Sequence, residues 1–174
     1  MLTKKNKNNM KRQIRKGVFE TNSSSVHTIV IQRKKSDYEI PDTCMFVFGE
    51  FGWEVEKYTD TYTKASYLYT MMLCCDDFDK KVGFITDTLR RHGCIATFQP
   101  YDENNPTWDY GYVDHCDADV VDEILESEDT LLEYLFGNST VYTYNDNMDD
   151  DDLPFIDELI RLDSDDSIVI RKGN

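Results

Sequence analysis

The chain has 174 residues, of which 40% are hydrophobic and 13% aromatic, with eleven tyrosines and a formal net charge of −15. That length is enough for one domain with a proper core, and the composition excludes a disordered chain. No apolar run approaches the roughly 20 residues of a membrane span. The basic N-terminus lacks the apolar segment of a secretion signal, so a cytoplasmic protein without membrane contacts is expected.

The charge is unevenly spread. Residues 1–17 hold seven Lys and Arg and no acid, which leaves 12 of the 19 bases against 34 acids over residues 18–174, a net of −22. A body of that sign repels nucleic-acid and membrane phosphates and attracts basic surfaces. Direct nucleic-acid binding by the folded body is therefore not expected, and a basic protein is the expected partner. Five cysteines, Cys44, Cys74, Cys75, Cys94 and Cys116, contain no C-x-x-C pair. They read as free, buried or half-buried thiols of a reducing compartment, with no structural zinc.

In chain order, residues 1–11 read as a flexible basic tail ahead of a single acidic domain over residues 12–174. Met10 offers an alternative start, which would make residues 1–9 an upstream extension. A short strand is expected around Ile14 and Val18, then a polar loop "TNSSS", then a β-branched strand "VHTIVIQR". Alternation in that strand places His27 with Ile29 and Ile31 on the core face. "CMFVFGEFGWEVEKY" predicts a hairpin, with strands at 44–48 and 53–58 around Gly49 and Gly52. Two helices follow. The first carries Ala65, Leu68, Met72 and Cys75 on one stripe; the second carries Phe78, Val82, Ile85 and Leu89 and stops at Gly93.

"CIATFQPY" predicts a strand, "DENNPTWD" a loop and "YGYVDHC" a short strand. "DADVVDEILESEDTLLEYLFG" predicts a helix divided near Ser127 and stopped at Gly137. "STVYTYND" is a strand, "NMDDDDLP" a charged connector, "PFIDELIRL" a short helix with Pro154 in its first turn, and "SIVIRK" a last strand. Runs of strands and helices without strict alternation predict an α+β fold: one domain, a mixed or mainly antiparallel sheet, and three to four helices.

Three histidines limit the chemistry. His92 ends a helix, where its cation complements the dipole. His27 and His115 each follow a polar cluster at a strand end, "TNSSSVH" and "GYVDHC". The alternative is a metal-dependent or acid–base hydrolase or nuclease with its site at His27, Asp114 and His115, and it requires the two histidines to converge. A serine triad lacks the G-x-S-x-G turn that exposes a nucleophile. The simpler arrangement has Asn22 and the serines bonding to backbone and His27 packed at the core edge. Asn147, Asp149, Asp151 and Glu158 fit four EF-hand positions, but Asp152 stands where the turn glycine is needed. Neither a metal nor another cofactor is expected. The run Asp149, Asp150, Asp151 and Asp152 reads instead as a negative patch for binding.

Residues 14–29, "IRKGVFETNSSSVHTI", resemble the N-terminal signature R-x-G-x-F-E-T-N-S-S-S-x-H of small bacteriophage and Gram-positive mobile-element proteins. "KASYLYT" (64–70) and "GYVDH" (111–115) resemble further segments of that group. The resemblance implies a mobile-element accessory protein in a bacterial host cell, in a context that includes anti-CRISPR and other anti-defence inhibitors. It marks Glu20, Thr21, Asn22, Ser23, Ser24, Ser25, His27, Asp114 and His115 and brings no established activity with them. Joined to the charge, it leads to an expected role: a non-enzymatic inhibitor whose carboxylates face a basic host protein such as a CRISPR nuclease, in the manner of a nucleic-acid mimic.

Overall fold

β-Branched side chains crowd Val26–Gln32, and that stretch becomes a strand, β1. The computed structural model of the chain describes residues 26–32, 37–52, 55–102, 104, 110–114, 117–144 and 167–172. After β1 come β2 (Thr43–Phe46), β3 (Glu50–Phe51) and β4 (Glu56–Tyr58), then α1 (Thr61–Met71), which tightens into a 3-10 turn at Met72–Cys74. The chain continues with α2 (Phe78–Arg91), β5 (Ile95–Phe98), β6 (Tyr112–Val113), α3 (Ala118–Ile124), α4 (Glu128–Phe136), β7 (Thr140–Tyr144) and β8 (Ser167–Lys172). This is a small α+β fold with mixed pairing.

Among the described residues the strands form three sheets. The four-stranded one runs β4-β7-β1-β8, all antiparallel, with β1 and β7 inside. The other two are parallel pairs, β2 with β5 and β3 with β6. Among the described residues, the hairpin expected over 44–58 does not form. Cys44 and Phe46 face inward from β2 and align with Ala96 and Phe98 of β5, while β4 leaves for β7. Gly111 makes the β3–β6 approach feasible: it holds φ +99°, and a Cβ there would lie 2.2 Å from the Gly49 carbonyl oxygen.

One apolar core joins these layers, with α1 at its centre. Every residue from Lys64 to Met72 is buried, so α1 is enclosed and not amphipathic. It packs against β2, β6, α3 and α4. The stripe expected on α2 holds: Ile85 and Leu89 are fully buried, and Phe78 and Val82 pack partly against the core. Residues 28–31 of β1 are buried in succession, so both of its faces are covered there.

Helix ends follow their side chains. Asp60, Asp117 and Ser127 accept from the N–H of Thr63, Asp119 and Thr130, at 2.8, 3.0 and 3.1 Å. Ser127 is thus the divide between α3 and α4. Gly93, at φ +81°, follows α2 where Gly is expected past a helix end. The expected strand near Ile14, the helix after Pro154, the tail and the domain's start at residue 12 all lie outside the described residues.

Candidate functional site

The residues singled out from sequence are distributed unevenly across the described fold. His27 lies in β1, opposite Thr143 of β7 and Lys172 of β8. Asp114 follows β6, half-buried, and its N–H donates to the Phe51 carbonyl at 2.9 Å. β1 and β6 belong to different sheets. His115, Glu20, Thr21, Asn22, Ser23, Ser24, Ser25 and Asp149, Asp150, Asp151 and Asp152 lie outside the described residues. His92 caps α2, with Nε2 3.6 Å from Glu128 Oε2. Arg91 also reaches Glu128, at 2.7 Å, and holds that carboxyl below its usual range, with His92 assisting.

Two features inside the described residues carry unusual chemistry. The first is Lys64, 1% exposed on α1. Its Nζ donates to Ser139 Oγ at 2.9 Å and to the carbonyls of Ser139 and Gly137 at 3.3 Å each. Ser139 Oγ in turn donates to the Tyr134 carbonyl, and the Tyr134 hydroxyl closes the ring onto the Lys64 carbonyl at 2.8 Å. Burial pushes the ammonium down to about 8, against smaller upward pulls from Asp60 and Glu133. A serine beside a lysine contains the parts of a nucleophile and its base. Here the serine proton is committed to a carbonyl and both side chains are sealed in the core. The arrangement clamps α1 to the α4–β7 connection.

The second feature is open. Residues 75–80, which lead from α1 into α2, and Tyr101, Asp102 and Asn104, after β5, enclose a cleft of about 660 Å³. Its wall is aromatic: the Phe78 and Tyr101 rings lie 4.8 Å apart, and Tyr101 continues to Tyr110 at 5.2 Å and Phe48 at 6.1 Å. Phe48 stacks on Tyr69 at 4.3 Å, which anchors the wall to the core. The Tyr69 hydroxyl donates to the Gln99 carbonyl at 2.8 Å. Burial, with Asp79 and Tyr110 adding, pushes this phenol up to about 12.

The rim is acidic, with Asp76, Asp77, Asp79 and Asp102 against one basic lining residue, Lys80. Two of the four carboxylates are already engaged. Asp77 pairs with Lys81 at 2.9 Å, and that bond holds its carboxyl below the usual range. Asp102 accepts from the Asn104 backbone N–H and Nδ2 at 3.0 and 2.8 Å, with the same downward effect. Burial pushes the Lys81 ammonium down, but its bonds to Asp122 and Asp77 outweigh this and hold it above the usual lysine range. Asp76 and Asp79 form no hydrogen bond or ion pair among the described residues. Cys75 also lines the cleft, but its contact with Cys74 and its burial push the thiol up, away from a reactive thiolate. No group of three or more His, Cys, Asp or Glu among the described residues is arranged to hold a metal ion.

The sequence signals for this cleft were present but divided. "CCDDFDKK" read as a helix start and "QPYDENN" as a strand end with its loop, and nothing in either stretch says that they meet. Comparison with protein-family models, with curated proteins and with solved structures finds no match for this chain. No helix among the described residues is long and apolar enough to cross a membrane.

Proposed function

We propose that this protein is a non-enzymatic binding module that presents its acidic surface to a basic protein partner. The supporting observation is the cleft itself: two carboxylates that no described residue engages, Asp76 and Asp79, line it together with the rings of Phe78 and Tyr101, in a chain of net charge −15. Carboxylates of that kind steer an incoming cation from a distance and complement its charge on contact. The resemblance of residues 14–29 to mobile-element proteins supports a partner class, a nucleic-acid-binding defence nuclease whose basic groove receives carboxylates in place of phosphates.

The test is binding of the full chain to such a nuclease, immobilised, at about 0.05 and about 0.5 M salt, with and without competing nucleic acid. Exposed charges are screened within about 10 Å at 0.1 M salt, so the association should weaken steeply with salt. Competition by nucleic acid is also expected. Binding that is indifferent to both would overturn the proposal, as would absence of binding to any basic protein at the lower salt.

A further inference from the structure

Resting on that reading, we infer that the cleft between residues 75–80 and Tyr101, Asp102 and Asn104 accepts an arginine side chain of the partner. The argument matches three cationic groups to the lining. A trimethylated ammonium satisfies an aromatic cage but has no N–H to give, and here carboxylates outnumber the rings that line the cleft. A lysine ammonium is a compact, strongly hydrated charge, which favours the open rim over an aromatic wall. A guanidinium is planar, weakly hydrated and carries five N–H donors, so it stacks on a ring while serving two carboxylates at once.

The cleft supplies both halves of that requirement. Phe78 and Tyr101 present a wall of two rings inclined at 44°. Asp76 and Asp79 offer carboxylates that no described residue engages, while Lys81 and the N-terminal dipole of α2 already offset Asp77. Lys80 lines the same cleft and sets a limit on how much charge the site holds before it is filled. The cavity, at about 660 Å³, is larger than one side chain, so the peptide flanking the arginine enters the mouth with it.

The experiment uses the full-length protein, isotope-labelled, titrated with three short peptides identical except for a central arginine, lysine or trimethyl-lysine. Backbone amide shifts of residues 75–80, Tyr101, Asp102 and Asn104 report occupancy. The expected result is saturable shifts confined to these residues for the arginine peptide, at lower concentration than for the other two. The double variant Asp76→Asn with Asp79→Asn keeps side-chain size and should weaken arginine-peptide binding about tenfold. Phe78→Leu, which removes one ring and retains apolar bulk, should abolish the preference for arginine over lysine. Equal shifts for arginine and lysine, or tighter binding of trimethyl-lysine, would overturn the inference. So would shifts that map elsewhere. Those outcomes leave the broader proposal standing if the basic nuclease still binds in a salt-dependent way; loss of both sinks both.

Discussion

Lys64 provides a quantitative test of how burial acts in this fold. The side chain is 1% exposed and its ammonium titrates at about 8, against 10.5 for an ordinary lysine. Between those values the unfolded chain holds a proton that the folded chain has released, so stability rises with pH across that window. At about 1.36 kcal/mol per pH unit, the full difference is worth about 3 kcal/mol, of which about 2 kcal/mol falls between pH 7 and pH 10. Other groups act in the opposite sense. Cys44 and Tyr69 are both pushed up to about 12, chiefly by burial, and Tyr134 is raised well above its ordinary value, so the fold retains protons there that the unfolded chain loses. The whole-chain profile therefore mixes both signs, and Lys64→Met separates them. This variant also loses the bonds to Ser139 and Gly137, a cost that does not vary with pH. Urea unfolding of the parent and of Lys64→Met, followed by circular dichroism at about pH 7 and about pH 10, should show the parent gaining about 2 kcal/mol relative to the variant. Parallel profiles would refute the assignment of a depressed, buried ammonium at this position.

Further outcomes follow from single contacts. Gly111→Ala places a Cβ against the Gly49 carbonyl at a φ of +99° and should cost about 2 kcal/mol or more, read as a lower urea midpoint. Ser127→Ala removes the cap that opens α4 and should cost about 1 kcal/mol. Gly137→Ala drives a methyl into the Glu133 carboxylate beside the Lys64 clamp, and should destabilise more than the cap variant does. Cys44 and Cys94 are buried with their thiols pushed up, so a thiol reagent at about pH 8 should label them only at the rate of unfolding. Rapid native labelling of either would contradict their burial.

The regular elements were legible in the sequence because their signals are local. β-branched residues mark β1, the Phe78–Leu89 spacing marks α2, and Ser127 with its side-chain acceptor divides α3 from α4. Pairing was not legible. The 44–58 segment has the composition of a hairpin, yet its strands are taken by β5, β6 and β7, whose claims depend on the rest of the core. Lys64 showed no warning in "KASYLYT", since a lysine at a helix start is ordinarily exposed; only Ser139 and the carbonyls around it, far along the chain, make its burial tolerable. The cleft was hidden for the same reason: its halves come from residues 75–80 and from Tyr101, Asp102 and Asn104, and neither contains a motif.

The position of β1 has a consequence for synthesis. It lies between β7 and β8, so the earliest strand of this sheet to leave the ribosome is completed by the two latest. At translation speeds of about 5–20 residues per second, the stretch from Gln32 to Thr140 keeps β1 without its neighbours for about ten seconds. Meanwhile the helices and the β2–β5 pair, all within one continuous segment, can assemble first. "VHTIVIQ" is thus a β-branched strand with both edges open during synthesis, exposed to pairing with other chains until its C-terminal neighbours arrive.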